Sequence, residues 1–258
     1  MRRFGPLVVV AIVGTVVSLT IAAFAMMPSW EFLPLPAGTP GESIQSVAWS
    51  PDGTRVLTQE TGRFVILRAS DAAVLMAVDG YSPVWIDERS IASLREIGPM
   101  RSELVKLDLG ADYPSPVGAT LGIARLIADR NGHLAARSEI GDVITTVLDP
   151  TDGHVITALP GLRALVWAGD GTLVSKTVDP QRQAQGVLPG SLVAWSAGRG
   201  PWPIGENVVE YHDSAAVSPS GDTIACVCGP IGDEAGITPR LAITIVPIDG
   251  SPATALTP

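Results

Sequence analysis

The sequence predicts an all-β fold of about five repeated four-stranded units, preceded by one apolar N-terminal segment. Three observations predict it. A short apolar run, a tight polar turn and a second apolar run recur five times: SVAWSPDGTRVLT at 46–58, SPVWIDERSIASL at 82–94, ARLIADRNGHLAA at 124–136, RALVWAGDGTLVS at 163–175 and SAAVSPSGDTIAC at 214–226. The turn positions Gly53, Arg89, Gly132, Gly171 and Gly221 are 36, 43, 39 and 50 residues apart, a period near 40 that marks stacked supersecondary units. From residue 45 onward the apolar pattern is that of short strands, and no stretch has a convincing 3.6-residue period. Four short antiparallel strands per period make the blade of a β-propeller. A lone blade cannot cover both of its faces, so blades stack side by side and bury them.

The elements follow in order. Residues 1–5 form a short N-terminus, expected in the cytoplasm. Residues 6–27, PLVVVAIVGTVVSLTIAAFAMM, carry no charge over 22 positions. A helix of that length covers about 33 Å, enough for a hydrocarbon core. Arg2 and Arg3 precede it and Glu31 is the first charge after it, so the positive-inside rule places the remaining chain outside the cytoplasm. The segment is longer than a signal-peptide core, which favours an uncleaved single-pass anchor. The alternative is a secretory signal cleaved after Ala25, at the small-residue pattern Ala23-Phe24-Ala25. With so few residues before the anchor, no cytoplasmic signalling domain is expected. Residues 28–44, PSWEFLPLPAGTPGESI, are rich in Pro and Gly and read as a stalk.

Residues 45–258 form the repeat domain. In the first unit VAWS (47–50), TRVLTQ (54–59), RFVILRA (63–69) and AVLMAV (73–78) read as four strands. Second hairpins recur at 143–160, 191–205 and 243–258, with Asp-Gly pairs at the turns of the first and last. The terminal run ATALTP (253–258) is expected to be the outer strand of the last blade. Trp49, Trp85 and Trp167 occupy one place just before the first turn, which Ile127 and Val217 take in the other two units. These side chains are expected to pack between adjacent blades.

VAWSPDGTRVL at 47–57 resembles the repeat of TolB-type, WD-like β-propellers, in which a WSPDG turn joins the first two strands of a blade. AVSPSGDTIA at 216–225 is a second match. Units at 85 and 167 keep the tryptophan without the Ser-Pro, and the unit at 124 keeps the turn alone. The resemblance implies a propeller over 45–258 and an extracytoplasmic binding habit, with no particular substrate.

Composition narrows function further. The net charge of −9 argues against nucleic-acid and anionic-lipid surfaces. No G-x-S-x-G elbow, phosphate loop, H-E-x-x-H or zinc spacing is present, so no cofactor, metal site or catalytic residue is expected. The Asp-Gly pairs lack a calcium-loop ladder and read as turns. His133 and His154 follow turn glycines and are expected to be solvated. Cys226 and Cys228, at i and i+2 on a strand, read as two small buried apolar groups; a local disulfide is the alternative at a spacing that suits it poorly.

Loops held by a rigid scaffold are where binding residues concentrate. The connections from second to third strands and between blades share one face. They are long at 177–190 and 229–240, and 204–213 belongs to the same side. Arg182, Gln183, Glu210, His212, Asp233, Glu234 and Arg240 are therefore the candidate partner-binding residues. The expected function is a membrane-anchored extracytoplasmic module that binds or scaffolds a protein of the cell envelope. The alternative is a propeller hydrolase of the lactonase kind, with a metal held by carboxylates and His in the channel.

Overall fold

The computed structural model describes residues 45–129, 131–138, 141–178, 190–205, 208–230 and 242–256. The anchor and stalk assigned to 6–27 and 28–44 lie outside the described residues. Among the described residues no helix is long and apolar enough to cross a membrane.

Twenty strands in chain order build five blades, each from four consecutive strands. Blade 1 holds β1 (Ser46–Trp49), β2 (Arg55–Gln59), β3 (Arg63–Arg68) and β4 (Val74–Asp79). Blade 2 holds β5 (Tyr81–Trp85), β6 (Ser90–Gly98), β7 (Arg101–Asp108) and β8 (Ser115–Leu121). Blade 3 holds β9 (Ala124–Ala128), β10 (Leu134–Ser138), β11 (Ile144–Leu148) and β12 (Val155–Pro160). Blade 4 holds β13 (Leu162–Trp167), β14 (Leu173–Thr177), β15 (Gly190–Ser196) and β16 (Gly200–Pro203). Blade 5 holds β17 (Val208–Val217), β18 (Thr223–Pro230), β19 (Ala242–Pro247) and β20 (Thr254–Leu256). All pairings among these strands are antiparallel, and the strands predicted for the first unit agree with β1–β4 to within a residue or two. As expected, the C-terminal run supplies the outer strand, with Ile243, Thr244 and Ile245 facing Leu256, Ala255 and Thr254.

Stacking follows from the two-residue period of a strand. In β10, Leu134 and Ala136 turn toward blade 2 while Ala135 turns toward blade 4, so both faces are buried. Four apolar clusters result, one per junction. Leu57, Phe64 and Ile66 of blade 1 meet Trp85, Ile91 and Leu107 of blade 2. Leu94 and Leu104 meet Leu126 and Leu134 at the next junction. Val147 and Leu159 meet Trp167 and Leu173, and Val174, Leu192 and Ile204 meet Ile224, Cys226 and Val246. Among the described residues no fifth cluster joins blade 5 back to blade 1. In β18 burial alternates, with Ile224, Cys226 and Cys228 buried toward blade 4 and Ala225 and Val227 half-exposed on the far face.

Two features depart from expectation. Cys226 and Cys228 form a disulfide with Cα atoms 5.7 Å apart. They are not a pair of free buried thiols, because β18 is locally drawn in enough for the two same-side sulfurs to meet. Blades 4 and 5 are also not separate sheets. β15 pairs with β17 through Gly190–Glu210 and Ser191–Val209, joining both blades in one eight-stranded sheet.

Candidate functional site

Of the seven sequence-predicted residues, Arg182, Gln183, Asp233, Glu234 and Arg240 lie outside the described residues. Glu210 and His212 fall within β17, not in a free connection between blades. The Glu210 backbone pairs with Gly190 on one side and Cys228 on the other. The extended pairing of 208–210 was hidden in the sequence by the polar run that follows it.

The repeat turns of blades 1 and 5 are built the same way. In the first, the Ser50 hydroxyl donates to Asp52 Oδ1 at 2.6 Å, and the Thr54 backbone N–H donates to the same oxygen at 3.0 Å. These bonds, the serine first, hold the Asp52 carboxyl at about 2. Gly53 N–H returns to the Ser50 carbonyl at 2.9 Å, and Gly221 N–H returns to Ser218 identically. The turn is thus structural chemistry, and Asp222 repeats it with Ser220 and Ser218 lowering its pKa.

Each turn also touches the preceding blade. Asn131 Nδ2 reaches the Gly169 carbonyl at 3.3 Å, and a Cβ on Gly171 would meet the His133 ring at 2.9 Å. The turns of blades 4 and 5 approach backbone to backbone: a Cβ on Gly221 would stand 2.8 Å from Gly169 N. At Gly53, whose blade has no predecessor among the described residues, nothing lies within 4 Å. The tryptophans show the same asymmetry. Trp85 Nε1 donates to the Ala48 carbonyl of blade 1 at 3.5 Å, and Trp167 Nε1 donates to the Ile127 carbonyl of blade 3 at 3.1 Å. Both are buried (7% and 4% exposed), whereas Trp49 is 56% exposed. The expectation that all three pack between blades therefore fails at Trp49. Blade 1's leading face has no blade against it among the described residues, and Val47 beside it is exposed as well.

On the turn face a groove of about 760 Å³ opens between blades 4 and 5. Asp170, Asp222 and Asp249 line it together with Ser196, Arg199 and Trp202. The Arg199 guanidinium lies 4.2 Å over the Trp202 ring, whose Nε1 donates to the Ile248 carbonyl at 3.1 Å. The Ser251 backbone N–H lowers the Asp249 carboxyl. Sequence reasoning missed this groove because each residue in it reads as ordinary turn chemistry. The only signal was that four turns of the last two units share one end.

Two histidines complete the polar inventory. His133 is exposed as expected, with its ring stacked on Trp167 at 5.2 Å and its Nδ1 paired with Asp129 at 2.8 Å. His154 is solvated as expected. Its Nδ1 lies 2.9 Å from Asp152 and 3.9 Å from Asp149, and the three form the one His–carboxylate group compact enough to hold a metal among the described residues. Asp152 raises the His154 pKa, and the His154 backbone and ring in turn lower that of Asp152. Asp149 and Asp152 also accept the backbone N–H groups of Thr151 and His154, so both carboxylates shape the β11–β12 turn.

No protein-family model and no curated protein matches the sequence. Solved structures match over most of its length. The propeller domain of the Trilobed protease from Pyrococcus furiosus superposes with a TM-score of 0.60 at 13% identity, covering 85% of this chain and 72% of that one. The fold is a β-propeller. A putative TolB from Agrobacterium tumefaciens matches at TM-score 0.53 and 16% identity, over 85% of this chain and 82% of its own. A chain of the mitotic checkpoint complex matches at TM-score 0.59 and 14% identity, over 86% of this chain and 66% of that one. At these identities the likeness is one of architecture.

Proposed function

We propose that this chain is a non-catalytic protein-binding or scaffolding module of the cell envelope, held by residues 6–27 in the membrane with its propeller outside the cytoplasm. The uncovered leading face of blade 1 carries the proposal. Trp85 and Trp167 show what that face does elsewhere in the molecule: it buries an indole against a neighbouring strand and donates to its carbonyl. Trp49 presents the same group to solvent. An exposed large aromatic with an unused donor beside an exposed Val is the composition of a protein-binding anchor. One structural neighbour, a chain of the mitotic checkpoint complex, belongs by its name to a protein assembly. A channel-metal hydrolase would place its ligands on the innermost strands, whereas the Asp149–Asp152–His154 group sits on the outer hairpin of blade 3.

A photo-crosslinking residue placed at position 49 in cells with intact membranes tests the binding role. The expected result is one defined protein adduct at position 49 and none at the exposed control position Arg68. Adducts equally abundant at both positions, or none at position 49, would refute it. The topology is tested separately by adding a protease to the outside of cells with permeable walls, which should digest the propeller while a cytoplasmic control protein survives.

A further inference from the structure

We infer that the Cys226–Cys228 disulfide is a redox-sensitive latch on the seam between blades 4 and 5. That seam is unusual in this molecule. The first three blades are separate four-stranded sheets, and among the described residues only here does a strand of one blade pair with a strand of the next. The joining ladder is two residues long, Gly190–Glu210 and Ser191–Val209.

The register of β17 against β18 shows how the seam is made. Glu210 pairs with Cys228 and Ala215 pairs with Cys226, so residues 211–214 of β17 stand opposite the single residue Val227. This is a long bulge, and bulges bend the strand that carries them. The bend lets the first half of β17 lie between β15 and β18 while its second half pairs with β18 alone. On the other side, β18 pairs with β19 without interruption, Cys226 to Thr244, Val227 to Ile243 and Cys228 to Ala242. The shift of register therefore lies between β17 and β18. The disulfide spans that same Val227. Two residues of an extended strand cover about 6.7 Å, but Cys226 and Cys228 have Cα atoms 5.7 Å apart. The disulfide shortens β18 at the one place where β17 carries surplus chain, and the two distortions fit each other.

A dithiol reductant, whether a small molecule or a thiol–disulfide oxidoreductase, would release the latch. Its thiolate attacks one cysteine sulfur, the S–S bond breaks and a mixed disulfide forms. Its second thiol then displaces the cysteine, leaving two protein thiols and an oxidised reductant, with two electrons and two protons transferred to the protein. β18 is then free to extend at Val227, and the bulge loses the puckered partner that accommodates it. The two-residue β15–β17 ladder is the shortest pairing at that point and opens first. The blades stay stacked, since the apolar cluster and the Gly169–Gly221 contact remain. Both sulfurs belong to side chains that are 3% and 1% exposed, so reduction proceeds through transient opening of the seam itself.

The test is hydrogen exchange followed by mass spectrometry on the full chain in detergent, with and without dithiothreitol, reduction being verified by alkylation of both thiols. The expected result is exchange about tenfold faster at 190–191 and 208–210, with β5–β8 unchanged. A Cys226→Ala/Cys228→Ala variant should show the fast pattern without reductant and no response to it. Complete reduction without faster exchange at the seam overturns the inference, as does acceleration spread evenly over all blades. Resistance to dithiothreitol under native conditions also overturns it. If the double variant does not fold, the comparison of oxidised and reduced wild-type chain decides.

Discussion

Replacing Gly221 by alanine should cost about twice the stability of the same change at Gly53, although both glycines close the same repeat turn. Gly53 has φ +69° and Gly221 has φ +80°, so each sits in left-handed backbone. An alanine there costs about 1–2 kcal/mol from the clash of its own Cβ with the backbone. At Gly53 that is the whole penalty, since no atom lies within 4 Å of the new methyl. At Gly221 the methyl would stand 2.8 Å from Gly169 N and 2.9 Å from Gly169 Cα, so the blade 4 turn must retreat. Forced movement of packed atoms adds about 1–3 kcal/mol. The totals are then about 2–5 kcal/mol at Gly221 and about 1–2 at Gly53. For a domain of this size each kcal/mol is worth about 2–4 °C of melting temperature. Urea unfolding of the two variants and the wild type, with a shared m-value, measures the difference directly. Equal losses at the two positions, or a larger loss at Gly53, would show that the approach of blade 5 to blade 4 adds nothing and that backbone geometry accounts for both.

The tryptophans should divide in the same way: Trp167→Phe removes the donor to Ile127 and is expected to lower stability by about 1–3 kcal/mol, whereas Trp49→Phe should stay within about 0.5 kcal/mol in denaturant titrations. Asp52 titrates at about 2 when folded against 3.8 as the reference value. Its contribution is present above about pH 4 and is lost as pH falls through about 2; carboxyl NMR should show the Asp52 titration moving up toward 3.8 in Ser50→Ala, and an unmoved titration would remove the serine as its main cause. Ending the chain at Gly250 deletes β20 and leaves β19 with an unpaired edge; the melting temperature should fall, and an unchanged one would show that the C-terminal strand contributes nothing to blade 5.

Strands and turns were legible because they are local. Ser50-Pro51-Asp52-Gly53 and the two residues after it hold every group the turn needs, and the unbroken apolar run at 64–67 marks β3 without reference to anything distant. The candidate residues were less legible. Glu210 and His212 look like loop residues because polarity is a poor guide to a strand that bulges, and the bulge is set by its partner β18. The groove at Asp170, Asp222, Asp249 and Trp202 draws on four turns separated by up to about 80 residues, each unremarkable alone.

The sequence by itself determined the repeat, the four-stranded unit and the chemistry of its turns. Only the tertiary structure decided which copies of the repeat are buried. Trp49 and Trp85 share a place in the repeat, yet one is exposed and the other covered, because burial belongs to the neighbouring blade and not to the residue. The disulfide follows the same logic. Two cysteines at i and i+2 make a poor pair in an ideal strand, and they meet here because a bulge in β17, set by pairing with both β15 and β18, allows β18 to shorten at Val227. Local sequence encodes what each strand prefers, but packing and pairing are settled between strands far apart in the chain.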